Sequence, residues 1–210
     1  MNDAGHDIVL WLIRAGETSW DENDRLRGDE DLPMSDAGRA ATSEAIARSV
    51  ALPFPRPSHL HHADDEASAD TAKLARKQLG GRLVPQDDLA DPVLGVLAGL
   101  SLDELRDRFE RRARQWEEDP SELAPPEGEP FPDARERIVA CAHRILRRRP
   151  ISVGMVLHEL AAGFLRTALA GDPAGNPRTS MAGRPRVEVW FLPADAAARL
   201  EARIREPETT

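Results

Sequence analysis

A continuous apolar run close to the beginning of the chain limits the possible folds more than any other feature. The run from Ile8 to Ile13 (IVLWLI) follows Asp7 and ends abruptly at Arg14. Because apolar and polar residues do not alternate in it, the run is typical of a strand buried on both faces, as at the centre of a parallel sheet. A sheet of this kind needs helices on both of its faces, so the sequence favours an α/β fold.

Strand-like and helix-like segments alternate along the rest of the chain. The later strands are predicted at 58–63, 82–85, 151–157 and 187–191, and the helices at 35–50, 65–79, 101–118, 132–149, 159–170 and 194–205. This alternation predicts a three-layer α/β/α sandwich with a mostly parallel central sheet. The 210 residues suit one well-packed domain rather than two. We therefore predict a single domain over 1–206, followed by a disordered tail at 207–210.

Composition excludes several classes of protein. The net charge of −9 argues against a surface that collects nucleic acid. No stretch approaches the ~20 apolar residues of a membrane span, and residues 1–7 do not have the pattern of a signal peptide. A single cysteine, Cys141, excludes an intrachain disulfide framework and a metal site built on several thiolates. We expect a cytoplasmic protein with neither nucleic acid nor membrane as its partner, and we predict no cofactor and no metal.

Two polar residues directly follow the strongest apolar runs. Arg14 comes after the first run, and His158 comes after the run at 151–157. In open parallel sheets, ligands gather beyond the carboxyl ends of the strands. Arg14 and His158 are therefore the first candidates for a functional site.

The sequence around Arg14 resembles the opening motif of a known family. Residues 12–21 (LIRAGETSWD) are similar to the run apolar-Arg-His-Gly-Glu-Thr, with Trp-Asn four residues beyond the glycine, of the histidine phosphatase superfamily, the phosphoglycerate mutase-like proteins. Further matches follow in the family's order at 25–28, 31–38, 71–72, 95–101, 128–129 and 156–158. Together the matches span about Ile8 to Ala170, so the resemblance implies the fold of that family.

The resemblance also implies a role for each matching position. In the family, the histidine after the first arginine attacks phosphorus and becomes phosphohistidine. Two arginines and a second histidine stabilise the equatorial oxygens, and a carboxylate, usually glutamate, protonates the leaving group. Carried over to this chain, the resemblance assigns phosphate binding to Arg14 and His158, catalysis to His158 and proton donation to Asp91.

Several positions depart from the family's pattern. The nucleophile's position is Ala15, which has no attacking atom, and the second arginine's position is Ala67. Asp21, an acceptor-only anion, stands where the family has a phosphate-contacting asparagine. Acids are also expected in the cleft at this edge of the sheet: Asp64, Asp65, Glu66 and Glu159.

These departures predict a catalytically inactive protein, a pseudo-phosphatase whose fold serves binding or assembly and in which His158 and Asp91 are vestigial. Removing a covalent nucleophile lowers a rate by about 10⁴–10⁶-fold. A second interpretation is a weak or altered phosphatase or mutase acting on a small phosphate ester, because Arg14, His158 and Asp91 survive together. A third is an acidic cleft that binds a cation or a basic segment of a partner.

Two further features leave alternatives open. His59, His61 and His62 lie close in sequence to the expected pocket loop, where they could supply a replacement nucleophile or hold a divalent metal with neighbouring acids. The acidic, proline-rich stretch 119–132 is either a lid over the cleft or an ordinary surface loop. As a partner we expect a small phosphorylated molecule or a protein, and family members often form homodimers.

Overall fold

One mixed sheet forms the centre of the protein. The computed structural model describes residues 7–172 and 175–205, so the tail predicted at 207–210 lies outside the described residues. The five strands are β1 (Ile8–Arg14), β2 (His59–His62), β3 (Arg82–Pro85), β4 (Ser152–Leu157) and β5 (Val187–Leu192). Their order in the sheet is β3-β2-β4-β1-β5. All neighbours are parallel except β5, which runs antiparallel to β1 at the edge.

Helices cover both faces of this sheet. They are α1 (Ser19–Glu22), α2 (Asp36–Ser49), α3 (Glu66–Leu79), α4 (Leu102–Arg108), α5 (Glu110–Glu118), α6 (Phe131–Leu146), α7 (Glu159–Ala170), α8 (Pro177–Met181) and α9 (Ala196–Arg205). Short 3₁₀ turns lie at Asp87–Leu89 and Gly95–Leu97. The predicted three-layer α/β/α sandwich is confirmed.

The apolar run of β1 divides between the two cores. Ile8, Leu10 and Leu12 face the larger core, which includes residues of α6, α7 and α9. The alternate residues of β1, such as Trp11, face the smaller core, which includes residues of α2 and α3. Because β1 is buried on both faces between β4 and β5, every position in it favours an apolar side chain.

The segment predicted as one helix over 101–118 forms two helices. Phe109 separates α4 from α5, and its φ of −142° and ψ of 55° lie outside the helical region. The Phe109 ring packs against the larger core, and Arg106 forms an ion pair with Glu117 across the break. Burial of the Phe109 ring accounts for the change of direction, which helix periodicity alone does not predict.

Two fully buried side chains, Leu123 and Phe131, anchor the proline-rich stretch 119–132 to the core. Leu123 is fully buried, and its carbonyl accepts a hydrogen bond from Phe131 N at 2.8 Å. Phe131 is also fully buried and begins α6, one residue before the predicted start. Among the described residues, no helix is long and apolar enough to cross a bilayer.

Candidate functional site

A cleft of about 780 Å³ includes several of the predicted site residues. Its walls include His158 and Glu159 at the end of β4, together with Asp21, Arg27 and Asp91. A smaller pocket of about 30 Å³ shares Asp21, His158 and Glu159 with the cleft. Both therefore lie beyond the carboxyl ends of β1 and β4, where the sequence places the site.

Arg14 ends β1 and reaches into the small pocket. Its Nη1 lies 3.6 Å from Glu159 Oε2, and 19% of the Arg14 side chain is exposed against 56% of Glu159. The buried Nε of Arg14 has no hydrogen-bond acceptor among the described residues. One nitrogen of this guanidinium therefore keeps an unused donor, whereas Nη2 donates to the Arg184 carbonyl at 3.4 Å.

His158 is held by Asp65 from the neighbouring helix. His158 Nε2 and Asp65 Oδ1 lie 2.8 Å apart, and both side chains are almost fully buried. Asp65 is the N-cap of α3, where the same oxygen accepts from Ser68 N at 2.9 Å. Burial raises the pKa of Asp65, but the His158 contact and the Ser68 amide outweigh it and hold that pKa below its usual range. Because an ionised carboxylate only accepts, His158 Nε2 is the donor of this bond.

Asp91 is buried in a polar network behind the cleft. Its Oδ2 accepts from Arg27 Nη2 at 2.9 Å, and its Oδ1 accepts from Ala161 N in the first turn of α7 at 2.8 Å. Burial raises the pKa of Asp91, and the Arg27 charge opposes this increase. Both carboxylate oxygens of Asp91 thus have a partner inside the protein.

A second guanidinium reaches the small pocket from the last strand. Arg186 directly precedes β5, and its carbonyl accepts from Arg14 N at 2.7 Å. Its side chain, 15% exposed, forms an ion pair with Glu17, in which Nη2 and Oε1 lie 2.5 Å apart. Arg14, Ala15, Glu17, Glu159 and Arg186 all line this pocket. Neither Arg186 nor Glu17 is among the site residues predicted from the sequence.

The sequence of this chain matches the model of one protein family over most of its length. The model of the histidine phosphatase superfamily (branch 1) matches residues 10–185. The chain belongs to the histidine phosphatase superfamily. It is 26% identical over 168 residues to "Probable phosphoglycerate mutase GpmB" of Cronobacter sakazakii, a match that covers 80% of this chain and 77% of that protein. A protein of the same name from Escherichia coli O1:K1 is 26% identical over 171 residues, with the same coverage.

Solved structures share the fold of this histidine phosphatase superfamily member. Bacillus stearothermophilus YhfR matches with a TM-score of 0.74 at 22% identity, over 87% of this chain and 90% of that one. The mycobacterial glucosyl-3-phosphoglycerate phosphatase Rv2419c in complex with VO3 matches with a TM-score of 0.72 at 19% identity, over 87% of this chain and 96% of that one. At these identities the likeness establishes the fold alone.

Ala15 and Ala67, where the sequence departs from the family's pattern, lie in two different environments. Ala15, at the position that the resemblance assigns to the nucleophile, is 6% exposed and lines the small pocket. Ala67 is fully buried on α3 and, among the described residues, is not part of the pocket lining. Arg186, which directly precedes β5, is the second arginine in the described lining of the small pocket.

The acids predicted for the cleft are only partly brought together. Glu159 and Asp21 line it, whereas Asp64 and Glu66 are exposed and, within 7–172 and 175–205, do not contribute to its walls. Asp65 is the partner of His158 instead. Asp21 completes a capping box at α1, where Oδ2 accepts from Thr18 N and Thr18 Oγ1, each at 2.7 Å.

The three neighbouring histidines of β2 do not line the cleft in the part of the chain that is described. His62 is buried, and its Nδ1 lies 2.8 Å from the Ala63 carbonyl. His61 is also buried, and burial, followed by the charges of His59, Arg148 and His62, lowers its pKa to about 4. The described residues contain no cluster of three or more metal-ligating side chains.

The loop 119–132 also contributes no described residue to the cleft, so its lid role stays a prediction.

Proposed function

We propose that this chain is a catalytically inactive member of the histidine phosphatase superfamily whose pocket serves binding. The observation that carries the proposal is Ala15, a buried methyl group that lines the small pocket at the position of the family's nucleophile. A methyl group has no lone pair with which to attack phosphorus. The loss of a covalent nucleophile lowers a rate by about 10⁴–10⁶-fold.

The surviving histidine is poorly placed to replace that nucleophile. Its Nε2 is bonded to Asp65 at 2.8 Å, and the side chain is 6% exposed. Attack through Nε2 would need this contact to break and would leave the Asp65 carboxylate buried without its partner. The engaged state of His158 therefore supports the inactive interpretation.

Asp91, the residue that the resemblance assigns to proton donation, is also fully engaged in hydrogen bonds. Both carboxylate oxygens of Asp91 accept bonds, from Arg27 and from Ala161 N. Proton donation to a leaving group would need Asp91 to leave this network. This supports a vestigial role for Asp91 in chemistry and a structural role in the fold.

A weak phosphatase is the second candidate. Arg14 and His158 line the same small pocket, so a phosphoryl group placed there would meet two groups able to stabilise its charge. Under this alternative the substrate is a small phosphate ester and the attacking group is water or His158.

Hydrolysis of a generic aryl phosphate tests the proposal, with the natural protein, Ala15→His, His158→Ala and the control Ala15→Gln. The control adds a side chain of similar size without a nucleophilic imidazole. We expect no hydrolysis by the natural protein, and a rate in Ala15→His that Ala15→Gln does not show would identify the missing nucleophile as the cause. Turnover by the natural protein that His158→Ala abolishes would overturn the proposal. Circular dichroism of each variant verifies that it is folded.

A further inference from the structure

Two largely buried guanidiniums share the small pocket, and each already has an anion. Arg14 faces Glu159 at 3.6 Å, and Arg186 faces Glu17 at 2.5 Å. The hydrogen bond from Arg14 N to the Arg186 carbonyl holds the backbones of the two residues side by side. Both side chains therefore start from neighbouring positions at this edge of the sheet.

The two glutamates are far less confined than the arginines. The side chains of Arg14 and Arg186 are 19% and 15% exposed, whereas those of Glu159 and Glu17 are 56% and 46% exposed. A half-exposed carboxylate regains most of its hydration when it turns outward, but a buried guanidinium left without an anion is strongly destabilised. An anion that replaced the carboxylates would therefore satisfy the arginines at little cost to the glutamates.

The balance of charge in this pocket depends on the same two glutamates. Its described lining includes two arginines and three acids, the third being Asp21. The Asp21 carboxylate is committed to Thr18. With Glu17 and Glu159 turned away or neutralised, the excess charge among these groups changes from negative to positive, which favours an incoming anion.

One donor of Arg14 also lacks an acceptor. Arg14 Nε is buried and has no hydrogen-bond partner among the described residues. Buried donors without acceptors are rare, so this guanidinium keeps hydrogen-bonding capacity that the described residues do not use. A tetrahedral oxyanion offers several acceptor oxygens, which suits the fork of a guanidinium.

We propose that Glu17 and Glu159 are built-in counterions of a small-oxyanion site formed by Arg14 and Arg186, and that an oxyanion binds by displacing them. The inference rests on the binding role proposed above. It adds the class of ligand that the pocket binds and the two carboxylates that oppose this binding. The pocket volume of about 30 Å³ is close to that of one water molecule, so an oxyanion such as inorganic phosphate fits only after the two carboxylates turn outward. A larger ligand would place only its oxyanion end there and extend into the adjoining cleft.

Calorimetric titration with inorganic phosphate, in a buffer free of other oxyanions, tests this inference. The variants are Glu17→Gln/Glu159→Gln, the same pair combined with Arg186→Gln, and the control Glu44→Gln/Glu110→Gln. The control changes the net charge by the same amount, and it removes two exposed ion pairs, with Arg48 and Arg114, outside the pocket lining. We expect the first variant to bind phosphate at least about tenfold more tightly than the natural protein. The added Arg186→Gln should remove that gain, and the control should leave affinity unchanged.

Equal affinity in the natural protein and the first variant would overturn the inference, as would an equal gain in the control. The aryl phosphate assay is independent of this result, because binding of phosphate requires no turnover. If the natural protein hydrolyses the ester while the first variant gains phosphate affinity, the inactive function fails and the counterion role stands. If neither protein hydrolyses the ester and the first variant gains no affinity, the counterion role alone fails.

Discussion

Arg27 and Asp91 form an ion pair inside the protein, with Arg27 Nη2 2.9 Å from Asp91 Oδ2 and each side chain 5% exposed. The other oxygen of Asp91 accepts from Ala161 N, so the pair also holds the first turn of α7. That helix begins directly after His158. The residue that the resemblance assigns to proton donation thus joins two segments of the cleft wall.

Removal of one partner of this pair should destabilise the fold strongly. In Arg27→Gln the Asp91 carboxylate stays buried without its cation, and breaking such a pair costs about 3–5 kcal/mol. Urea denaturation measures the change in the free energy of unfolding. Arg25→Gln is the matched control, because its pair with Glu104 is exposed and such pairs contribute less than about 1 kcal/mol. Equal losses in the two variants would contradict the structural role of the buried pair.

Two substitutions of Asp65 should distinguish the stability that it contributes as a helix cap from the stability that its charge contributes. Asp65→Asn keeps an N-cap oxygen for Ser68 N, whereas Asp65→Ala loses it, so the alanine variant should be less stable than the asparagine variant by about 1 kcal/mol. The asparagine variant should still be less stable than the natural protein, because the charged contact with His158 is gone. Asp64→Asn, an exposed neighbour, should change stability by no more than about 0.5 kcal/mol.

The same residue predicts a dependence on pH. Because the pKa of Asp65 is lower in the folded state than its ordinary value of 3.8, its stabilising effect is fully present above that value and is lost as the pH falls toward the folded pKa. Denaturation of the natural protein and of Asp65→Asn at acidic pH measures this effect. Their difference in unfolding free energy should shrink as the pH falls below about 4. A difference that stays constant over that range would contradict it.

His61 should make the fold sensitive to mild acid. Burial lowers its pKa in the folded state to about 4, from the ordinary value of 6.5. The unfolded chain therefore takes up a proton that the folded state excludes, and stability falls as the pH decreases between these values. His61→Leu should lack this part of the loss, which amounts to about 1–3 kcal/mol. Unfolding free energies of both proteins from pH 7 to pH 4 provide the measurement, and parallel curves would show that His61 does not titrate in this way.

Gly38→Ala should displace the loop that carries Glu17. A Cβ atom at position 38 would lie 2.2 Å from the Glu17 carbonyl oxygen and 2.9 Å from its nitrogen. These are backbone atoms, so the loop must shift, at a cost of about 1–3 kcal/mol. Gly80→Ala meets no atom within 4 Å, but its φ of +82° and ψ of −158° should cost about 1–3 kcal/mol through backbone strain alone. Thermal denaturation measures the loss in Gly38→Ala, and a stability equal to that of the natural protein would contradict the close contact.

Sequence patterns predicted those parts of the fold that depend on local repetition. The uninterrupted apolar run of β1 reflects burial between two cores, and α2 begins one residue after the start predicted for it at position 35. The break at Phe109 was missed, because no glycine or proline marks it and tertiary burial decides it. The four residues of α1 are too few to produce a periodic pattern.

The candidate site was predictable only where a strand end carries the residue. Arg14 and His158 follow buried strands, and both line the small pocket. Arg186 was not recognised, because the direction of an edge strand cannot be read from its residues. Since β5 is antiparallel, its beginning lies beside the end of β1. The contact between Asp65 and His158 likewise depends on how α3 is placed against β4, which a single sequence does not specify.

The antiparallel placement of β5 has a consequence for the order of events during synthesis. Until the ribosome has added residues 186–192, β1 remains an uncapped edge, and Arg14 lacks the carbonyl that receives its amide. Apolar edges left open in this way are sites of intermolecular pairing. A nascent chain released before β5 should therefore aggregate instead of accumulating as a soluble shortened form.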